Sequence, residues 1–269
     1  MKIVLRKTSF VDYPGRISSV LFFSGCNLRC PWCHNRELIT GGAKDLIEAE
    51  EGLAHIKKRR SVLGGVVLSG GEPCLWEDLP ELVTEIKSLS LPVKLDTNGM
   101  FPEMLEKLIS NEKTRPDYIA LDLKIAPERY VELAGNGELG MGNGAIVRMR
   151  GFSTSCDDMK QKPQSPLPIP YSPIMSGDKL IRSAAIIRES GIAHEYRTLA
   201  LPGGFITEAD IEALAPLADE SPWYFRPFRA GNCLDPAWDS LEESHEEVSA
   251  RLKSLAKKAR EIGRYLPIF

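Results

Sequence analysis

The sequence predicts an α/β fold, built as a partial (β/α)6 barrel of the TIM type. Short apolar, β-branched runs alternate along the chain with longer stretches of helical period. Repeated strand–helix units give parallel strands, and six units close only part of a barrel that normally takes eight. Polar and glycine-rich clusters follow several of the runs, where such folds place their functional groups.

Six runs have the length and composition of buried strands. They are Ser18–Phe23, Gly65–Ser69, Val93–Asp96, Tyr118–Asp122, His194–Leu199 and Trp223–Pro227. β-branched and aromatic residues are frequent in them, which favours strands over short helices. We therefore expect these six runs to form the parallel sheet.

Six helices are predicted around these strands. They are Ala43–Arg59, Asp78–Leu89, Pro102–Ile109, Ser176–Ser190, Thr207–Ala218 and Ser240–Ile262. Gly191 directly follows the fourth helix, as expected of a residue that ends a helix in the left-handed conformation. The last two helices open with pairs at capping-box spacing, Thr207 with Asp210 and Ser240 with Glu243.

One region interrupts the alternation of strands and helices. Gly135 to Pro173 is first rich in glycine and then in proline, so it could form little continuous helix or sheet. Because the alternation resumes afterwards, we predict a single domain over residues 1–269 with an irregular insertion at about 135–175. A loop of that length is usually functional or mobile.

Composition and charge narrow the class of protein. The chain has 269 residues, a formal net charge of −3 and 26% charged residues. These values indicate neither a nucleic-acid-binding face nor an anchor to an anionic membrane. No apolar stretch approaches the roughly 20 residues of a membrane span. A charge at Lys2 comes too early for the apolar core of a signal peptide, so we expect a cytoplasmic protein without a disulfide framework.

The most informative motif is a run of three cysteines, Cys26, Cys30 and Cys33, within eight residues. Three thiolates can bind three irons of a four-iron cluster and leave the fourth iron open for chemistry. Two other sites use similar patterns. The run from Cys30 to His34 matches haem attachment, which requires export, and structural zinc could use the three cysteines with His34. No second C-x-x-C pair completes a zinc site, so the cluster is favoured.

The cysteine motif after a first strand is similar to the signature of the radical S-adenosylmethionine (SAM) superfamily, whose fold is commonly a six-unit partial barrel. Its flanks, TSFVDYPGR over Thr8–Arg16 and HNR over His34–Arg36, resemble the activases of glycyl-radical enzymes. Among these activases, the residues of the two flanking segments are most similar to those of the activating proteins of anaerobic ribonucleoside-triphosphate reductase. The resemblance extends over nearly the whole chain except Gly135–Pro173.

The resemblance assigns roles to individual residues. Cys26, Cys30 and Cys33 would ligate a [4Fe–4S] cluster, and the open iron would bind the amino and carboxylate groups of SAM. Gly70, Gly71 and Glu72 resemble the family's GGE segment, which holds the SAM ammonium. Glycines allow a close backbone approach, and a carboxylate pairs with a cation. Without the family, the segment is only a glycine-rich turn before a helix.

Further segments carry the remaining implied roles, all of them at predicted strand ends or nearby. Asp96, Thr97 and Asp122 would bind a monovalent cation beside the SAM carboxylate, and the implied SAM contacts are Asp96, Asn98, Lys124, Arg197 and Arg229. Oxygen ligands suit such a cation, and a guanidinium suits a carboxylate. Arg229 stands where some activases have a histidine against adenine, and arginine can also stack on a purine. Read alone, these segments are an Asn-Gly turn and strand-end charges.

The resemblance implies a radical SAM enzyme that cleaves SAM reductively and takes a hydrogen from a backbone glycine of a partner. The expected partner is a glycyl-radical enzyme, with anaerobic ribonucleotide reductase first. The expected electron donor is a flavodoxin or a ferredoxin. Two alternatives stay open: a radical SAM enzyme acting on a small molecule or a tRNA base, and a non-catalytic metal-binding or electron-transfer module. No side-chain general base is predicted, because the cofactors carry the chemistry.

Overall fold

The computed structural model describes residues 1–134, 139–141, 145–147, 176–218, 220–241 and 243–262. Most of the predicted insertion at 135–175 lies outside these residues. Two short antiparallel strands within it, β7 (Leu139–Met141) and β8 (Ala145–Val147), pair with each other.

All six predicted strands are present, and they form one parallel array. They are β2 (Arg16–Phe23), β4 (Gly65–Gly70), β5 (Val93–Thr97), β6 (Tyr118–Asp122), β9 (Ala193–Ala200) and β10 (Trp223–Pro227). Each pairs in parallel with the next in that order. The α/β architecture with a partial barrel is therefore confirmed.

Two strands that the sequence reading missed extend the sheet beyond β2. β1 (Lys2–Tyr13) runs antiparallel to β2, and β3 (Leu46–Glu48) runs antiparallel to β1. The described sheet thus has eight strands in the order β10-β9-β6-β5-β4-β2-β1-β3. β1 is only partly buried, and its exposed and charged side chains hide the strand pattern in the sequence.

Seven α-helices accompany the sheet in the described residues. They are α1 (Arg36–Thr40), α2 (Ala49–Arg59), α3 (Leu79–Ser88), α4 (Pro102–Ile109), α5 (Asp178–Ser190), α6 (Glu208–Leu214) and α7 (His245–Glu261). Short 3-10 turns lie at Pro73–Leu75, Pro127–Ala134 and Pro236–Ser240. The predicted capping box of Thr207 and Asp210 is confirmed at α6.

Three predicted helix boundaries were wrong. The helix expected from Ala43 begins at Ala49, because Leu46–Glu48 forms strand β3. The helix expected to end at Ala218 ends at Leu214. The helix expected from Ser240 begins at His245, with Ser244 and Glu247 forming the capping box. Ser240 instead ends a 3-10 turn, and the same Ser-x-x-Glu spacing recurs about one helical turn later.

The core lies between the sheet and its helices. The strand residues Val66, Leu68, Leu95 and Leu121 are 0% exposed, as is Ile187 of α5. Burying side chains of this size removes them from water at a gain of about 1.5–3 kcal/mol each. This rigid sheet fixes the positions of the loops that follow its strands. No helix in the described ranges is both long enough and apolar enough to cross a membrane.

Candidate cofactor site

The three cysteines lie in the loop after β2 and face one cavity of about 200 Å³. Cys26 and Cys30 are buried, and Cys33 is partly exposed. Burial raises the pKa of the Cys26 thiol to about 12, and it also raises the pKa of Cys30 and Cys33. The thiolates therefore need a positive partner such as iron to form near neutral pH.

The glycine segment after β4 lies directly against the cysteine loop. The Gly71 and Glu72 N–H groups donate to the Phe23 and Gly25 carbonyl oxygens, each at 2.9 Å. A Cβ on Gly71 would lie 1.9 Å from the Gly25 carbonyl oxygen, and Gly70 adopts a φ of +110°. Only glycine permits this approach and this conformation, which join the two loops into one wall of the cavity.

Glu72 is a buried carboxylate bonded only to neutral donors. Its side chain is 0% exposed. Oε1 accepts from the Thr97 hydroxyl at 2.8 Å and from the Cys74 N–H at 3.0 Å, and Oε2 accepts from the Asn98 N–H at 2.8 Å. Burial raises the pKa of Glu72 despite these hydrogen bonds. None of the ion pairs described for residues in the ranges above includes Glu72, so a bound cation would complete its environment.

Asn98 connects the β5 loop to the first cysteine. Its Nδ2 donates to Asn27 Oδ1 at 2.8 Å and approaches the Cys26 sulfur at 3.7 Å. Its Oδ1 accepts from the Met100 N–H at 3.0 Å. The buried amide thus has partners on both ends, and it forms part of the cavity wall.

Charged side chains from β5, β6 and β9 form the opposite wall. Arg197 Nε donates to Asp122 Oδ1 at 2.9 Å, and Lys124 Nζ donates to Asp122 Oδ2 at 3.0 Å. Arg197 also reaches Asp96 Oδ2 at 3.3 Å. Although burial opposes it, the charges of Arg197 and Lys124 lower the pKa of Asp122 to about 2. This wall therefore holds fixed charges of both signs.

A second cavity of about 540 Å³ shares this charged wall and extends along the barrel interior. Lys94 lies there, 1% exposed, with its ammonium bonded to Asp96 Oδ1. Tyr118 donates its hydroxyl to Glu195 Oε2 at 3.0 Å nearby. The sequence could have predicted that Lys94 lies in this cavity, because it is two residues from Asp96 and therefore lies on the same face of β5.

The loop after β10 is bonded to the cysteine loop. The His34 ring contacts the Arg229 carbonyl oxygen at 2.6 Å, and Asn232 Nδ2 donates to the His34 carbonyl oxygen at 3.2 Å. The Asp235 N–H donates to the Pro31 carbonyl oxygen at 2.9 Å. Below these bonds, Trp32 packs against Phe205 and Trp238, with ring centroids 4.9 and 5.3 Å apart.

The residues fit a four-iron cluster better than a single metal ion. Three free thiols line one small cavity. Yet among the described residues no group of three His, Cys, Asp or Glu side chains is close enough to hold one ion. A cluster matches both facts, because each thiolate then binds a separate iron. His34 also lines this cavity, but its ring nitrogen is already bonded to the Arg229 carbonyl oxygen, which does not favour its use as a zinc ligand.

The structure brings most of the predicted site residues to one cavity. Its lining includes twelve of them: Cys26, Cys30, Cys33, Gly70, Gly71, Glu72, Asp96, Thr97, Asn98, Asp122, Lys124 and Arg197. The Arg229 side chain is exposed and is not part of this lining; the described contact of that residue is its carbonyl with His34. The roles themselves stay predictions.

The predicted cation site has its oxygens already bonded within the protein. Both Asp122 oxygens bond to Arg197 and Lys124, and both Asp96 oxygens bond to Lys94, Ser69 or Arg197. Thr97 donates its hydroxyl to Glu72. A monovalent cation at this place stays a prediction.

Two residues that the sequence reading left without a role also line the cysteine cavity or contact it. Asn35 Nδ2 donates to the Gly70 carbonyl oxygen at 2.9 Å, and Asn27 accepts from Asn98. Both amides lie inside or next to the cysteine motif, so their position was the available signal.

Comparisons with known proteins agree with this geometry. Residues 20–140 match the radical SAM superfamily. A Methanocaldococcus jannaschii protein assigned as a glycyl-radical enzyme activating enzyme is 27% identical over 256 residues, covering 93% of this chain and 89% of its own. The pyruvate formate-lyase-activating enzyme of Listeria monocytogenes is 37% identical over 135 residues, covering 46% of this chain and 53% of that enzyme.

A solved structure shows the same fold. The radical SAM methyltransferase from Sphaerobacter thermophilus superposes with a TM-score of 0.59 at 16% identity, covering 97% of this chain and 68% of that one. At this identity the likeness concerns the fold, in agreement with the six-unit parallel array described above.

Proposed function

Because the chain carries a radical SAM domain, whose cofactors are a [4Fe–4S] cluster and SAM, we propose that it activates a glycyl-radical enzyme. Cys26, Cys30 and Cys33 would hold the cluster, which would pass one electron from a donor protein to SAM and so supply methionine and a 5′-deoxyadenosyl radical. The radical would take one hydrogen atom from a backbone glycine of the partner, which would give 5′-deoxyadenosine and a glycyl radical. The atoms and the single electron balance without a side-chain base.

One observation carries the proposal: three free thiols, an unneutralised carboxylate and two cationic side chains line the same small cavity. A zwitterionic ligand bound to an open iron needs this set of groups, an anion for its ammonium and cations for its carboxylate. We assign the ammonium to Glu72 and the carboxylate to Lys124 and Arg197. Gly70 and Gly71 give the backbone approach, and Asp96, Thr97 and Asp122 would hold the predicted cation.

The chain's own residues bind, orient and exclude water. The rigid ion pairs of Asp122 with Lys124 and Arg197 hold the two cations in place before a ligand arrives. The adjoining cavity of about 540 Å³ provides room for the adenosyl group and a segment of the substrate. A substrate segment that filled the larger cavity would exclude water and so protect a reactive radical from solvent.

We name an anaerobic ribonucleotide reductase as the first partner to test, on the resemblance of the TSFVDYPGR and HNR segments. A flavodoxin or a ferredoxin is the donor class suited to a low-potential cluster. The similarity over 93% of this chain to a protein assigned as a glycyl-radical enzyme activating enzyme supports the proposed activation of a glycyl-radical enzyme.

The test begins with protein reconstituted anaerobically with iron and sulfide. We expect about four irons per chain, and 5′-deoxyadenosine formed from SAM with dithionite. Co-incubation with candidate glycyl-radical enzymes should then produce a glycyl-radical EPR doublet on the correct partner. A Cys30→Ala variant, which removes one thiolate, is the matched negative control.

The outcomes separate the candidate functions. One zinc per chain and no 5′-deoxyadenosine would contradict the enzyme proposal and favour a binding module. Cleavage of SAM without a glycyl radical on any partner, but with turnover of a small molecule or a tRNA base, would favour the other radical SAM reading.

A further inference from the structure

We propose that Asn98 tunes the reduction potential of the cluster by donating a hydrogen bond to the sulfur of Cys26, and that Glu72 is the positioning residue for Asn98. The inference rests on the proposed function only for the presence of the cluster. It concerns residues on two different strand loops, which meet at one ligand atom.

The hydrogen-bond network fixes which end of the Asn98 amide faces the sulfur. Oδ1 accepts from the Met100 N–H at 3.0 Å. With the amide reversed, the NH₂ group would face that N–H donor, and Asn27 Oδ1 would face an oxygen at 2.8 Å. The nitrogen therefore faces Asn27 and Cys26, and Nδ2 lies 3.7 Å from the sulfur.

The Cys33 sulfur accepts the backbone N–H of Asn35, whereas the Cys26 sulfur accepts both a backbone N–H and a side-chain amide in the described part of the chain. The backbone N–H of Leu28 donates to it at 3.4 Å, in addition to the Asn98 amide. Hydrogen bonds to cluster sulfurs stabilise the reduced form, which carries one more negative charge, and so raise the reduction potential. The side-chain bond is the one that a substitution can remove.

Glu72 holds Asn98 in place from the other side. Its Oε2 accepts the Asn98 N–H at 2.8 Å, and its Oε1 accepts the hydroxyl of the neighbouring Thr97 at 2.8 Å. Asn98 is 4% exposed and has little room to turn. Two hydrogen bonds, from the Asn98 N–H to Glu72 and from the Asn98 side-chain amide to Cys26, thus connect the carboxylate assigned to the SAM ammonium with a cluster ligand. Binding of a ligand at Glu72 can therefore affect the charge on the Cys26 sulfur.

The test is an EPR-monitored redox titration of the reconstituted protein without SAM and without a partner. We compare the wild type with Asn98→Ala, which removes the donor. We also compare Asn98→Asp, which keeps an acceptor for Met100 and replaces the donor by an oxygen. Both variants should have a more negative midpoint potential, and Asn98→Asp should show the larger shift because it adds an acceptor near the sulfur.

Asn35→Ala is the matched control. Asn35 lines the same cavity, but its amide donates to the Gly70 carbonyl oxygen. Its midpoint should equal that of the wild type. Glu72→Asp keeps the negative charge near Cys26 but shortens the side chain that accepts the Asn98 N–H, so it should shift the midpoint in the same direction as Asn98→Ala but less.

Iron content keeps the result interpretable. Unchanged midpoints in Asn98 variants that hold four irons would overturn the proposal and leave the proposed function intact. Absence of a cluster in the wild type would overturn both. If the Asn98 variants lose their cluster, the wild type carrying ¹⁵N only in the asparagine side-chain amides decides, because this label leaves out the Asn35 backbone N–H bonded to Cys33. A ¹⁵N coupling to the reduced cluster in pulsed EPR supports the bond, and its absence refutes it.

Discussion

Two buried carboxylates in this protein are held in different ways, one in the cofactor site and one outside it. Glu72 accepts three hydrogen bonds from neutral groups. Asp210, at the start of α6, accepts from the Ala126 and Thr207 N–H groups and from the Thr207 hydroxyl. It also accepts from the guanidinium of Arg129, at 2.7 Å to Oδ1 and 2.9 Å to Oδ2.

The cation makes the difference between them. Burial raises the pKa of Glu72, whereas the pKa of Asp210 is lowered because its hydrogen bonds and Arg129 outweigh the cost of burial. The charge and the hydrogen-bonding capacity of Asp210 are thus satisfied by the protein itself. Asp210 stabilises the fold by connecting the segment after β6 to the start of α6. Glu72 carries a charge whose neutralising partner is absent from the described protein residues, which is what a site for a cationic ligand requires.

The largest expected effect on stability comes from breaking the ion pair between Asp210 and Arg129. Asp210→Ala should lower the free energy of unfolding by about 3 kcal/mol, because it leaves the partly buried Arg129 with an unmatched charge and several N–H groups without an acceptor. Urea unfolding monitored by circular dichroism measures this loss. Glu132→Ala removes the other, more exposed partner of Arg129 and should cost less than about 1 kcal/mol. Equal losses of stability in the two variants would contradict the conclusion that Asp210 is the more important partner of Arg129.

Removing the charge of Glu72, which has no cationic partner among the described residues, should affect ligand binding instead. Glu72→Gln should weaken SAM binding to the reconstituted protein about tenfold, equivalent to about 1.4 kcal/mol, because an amide cannot pair with an ammonium. Anaerobic isothermal titration calorimetry measures the affinity. Asp210→Asn is the matched control, since Asp210 is also buried but lines neither of the two cavities. A comparable loss in this control would show that any buried charge has the same effect.

The two carboxylates should give opposite pH dependences of stability. Asp210 has a lowered pKa, so its contribution is full above the ordinary value of 3.8 and is lost as the pH falls through the lower folded value. The raised pKa of Glu72 makes its ionised form unfavourable in the folded protein. That penalty is present at neutral pH and disappears as the pH falls towards the ordinary value of 4.5.

Urea unfolding between pH 7 and 3 measures both effects. The advantage of the wild type over Asp210→Asn should stay constant from pH 7 to about 4 and shrink below it. The wild type should gain relative to Glu72→Gln as the pH falls from 7 to about 4. Parallel curves for the two variants would contradict the comparison.

The smallest expected effects come from replacing the threonine whose hydroxyl donates to each carboxylate, Thr97 to Glu72 and Thr207 to Asp210. Thr207→Val removes the capping hydroxyl of α6 and should cost about 1 kcal/mol of stability. Thr97→Val removes one donor to Glu72, which should raise the pKa of Glu72 further and weaken SAM binding slightly while costing less stability. Thermal unfolding and calorimetry on both variants test whether stability and affinity separate in this way.

Much of the fold could be predicted because the six parallel strands are buried on both faces. Such strands read as continuous apolar runs, and their loops carry the polar groups. β1 could not be predicted in this way, since it lies next to the short β3 and keeps exposed charges such as Arg6 and Lys7. The start of α7 was misjudged because two Ser-x-x-Glu pairs lie about one turn apart, and only packing selects Ser244.

The site was predictable where the chemistry lies in local motifs and not where it depends on contacts between loops. The cysteines and the Gly70–Glu72 segment stand in short patterns. The bond from Asn98 to Cys26 joins residues 72 positions apart, and Lys94 acquires its setting from strands on either side. Arg229 differs from these residues: the resemblance implies that it contacts SAM, and that role stays a prediction, since the described contact is that of its carbonyl oxygen with the His34 ring and its side chain is exposed.

The bonds between the cysteine loop and the loop after β10 have a consequence for synthesis. His34 and Arg229 are 195 positions apart, so the ribosome releases the three cysteines long before the segment that bonds to their loop. At roughly 5–20 residues per second, the interval lasts on the order of ten seconds or more. During that time the cysteine loop lacks the contacts that the loop after β10 supplies, and these contacts can form only after the last strand has been synthesised.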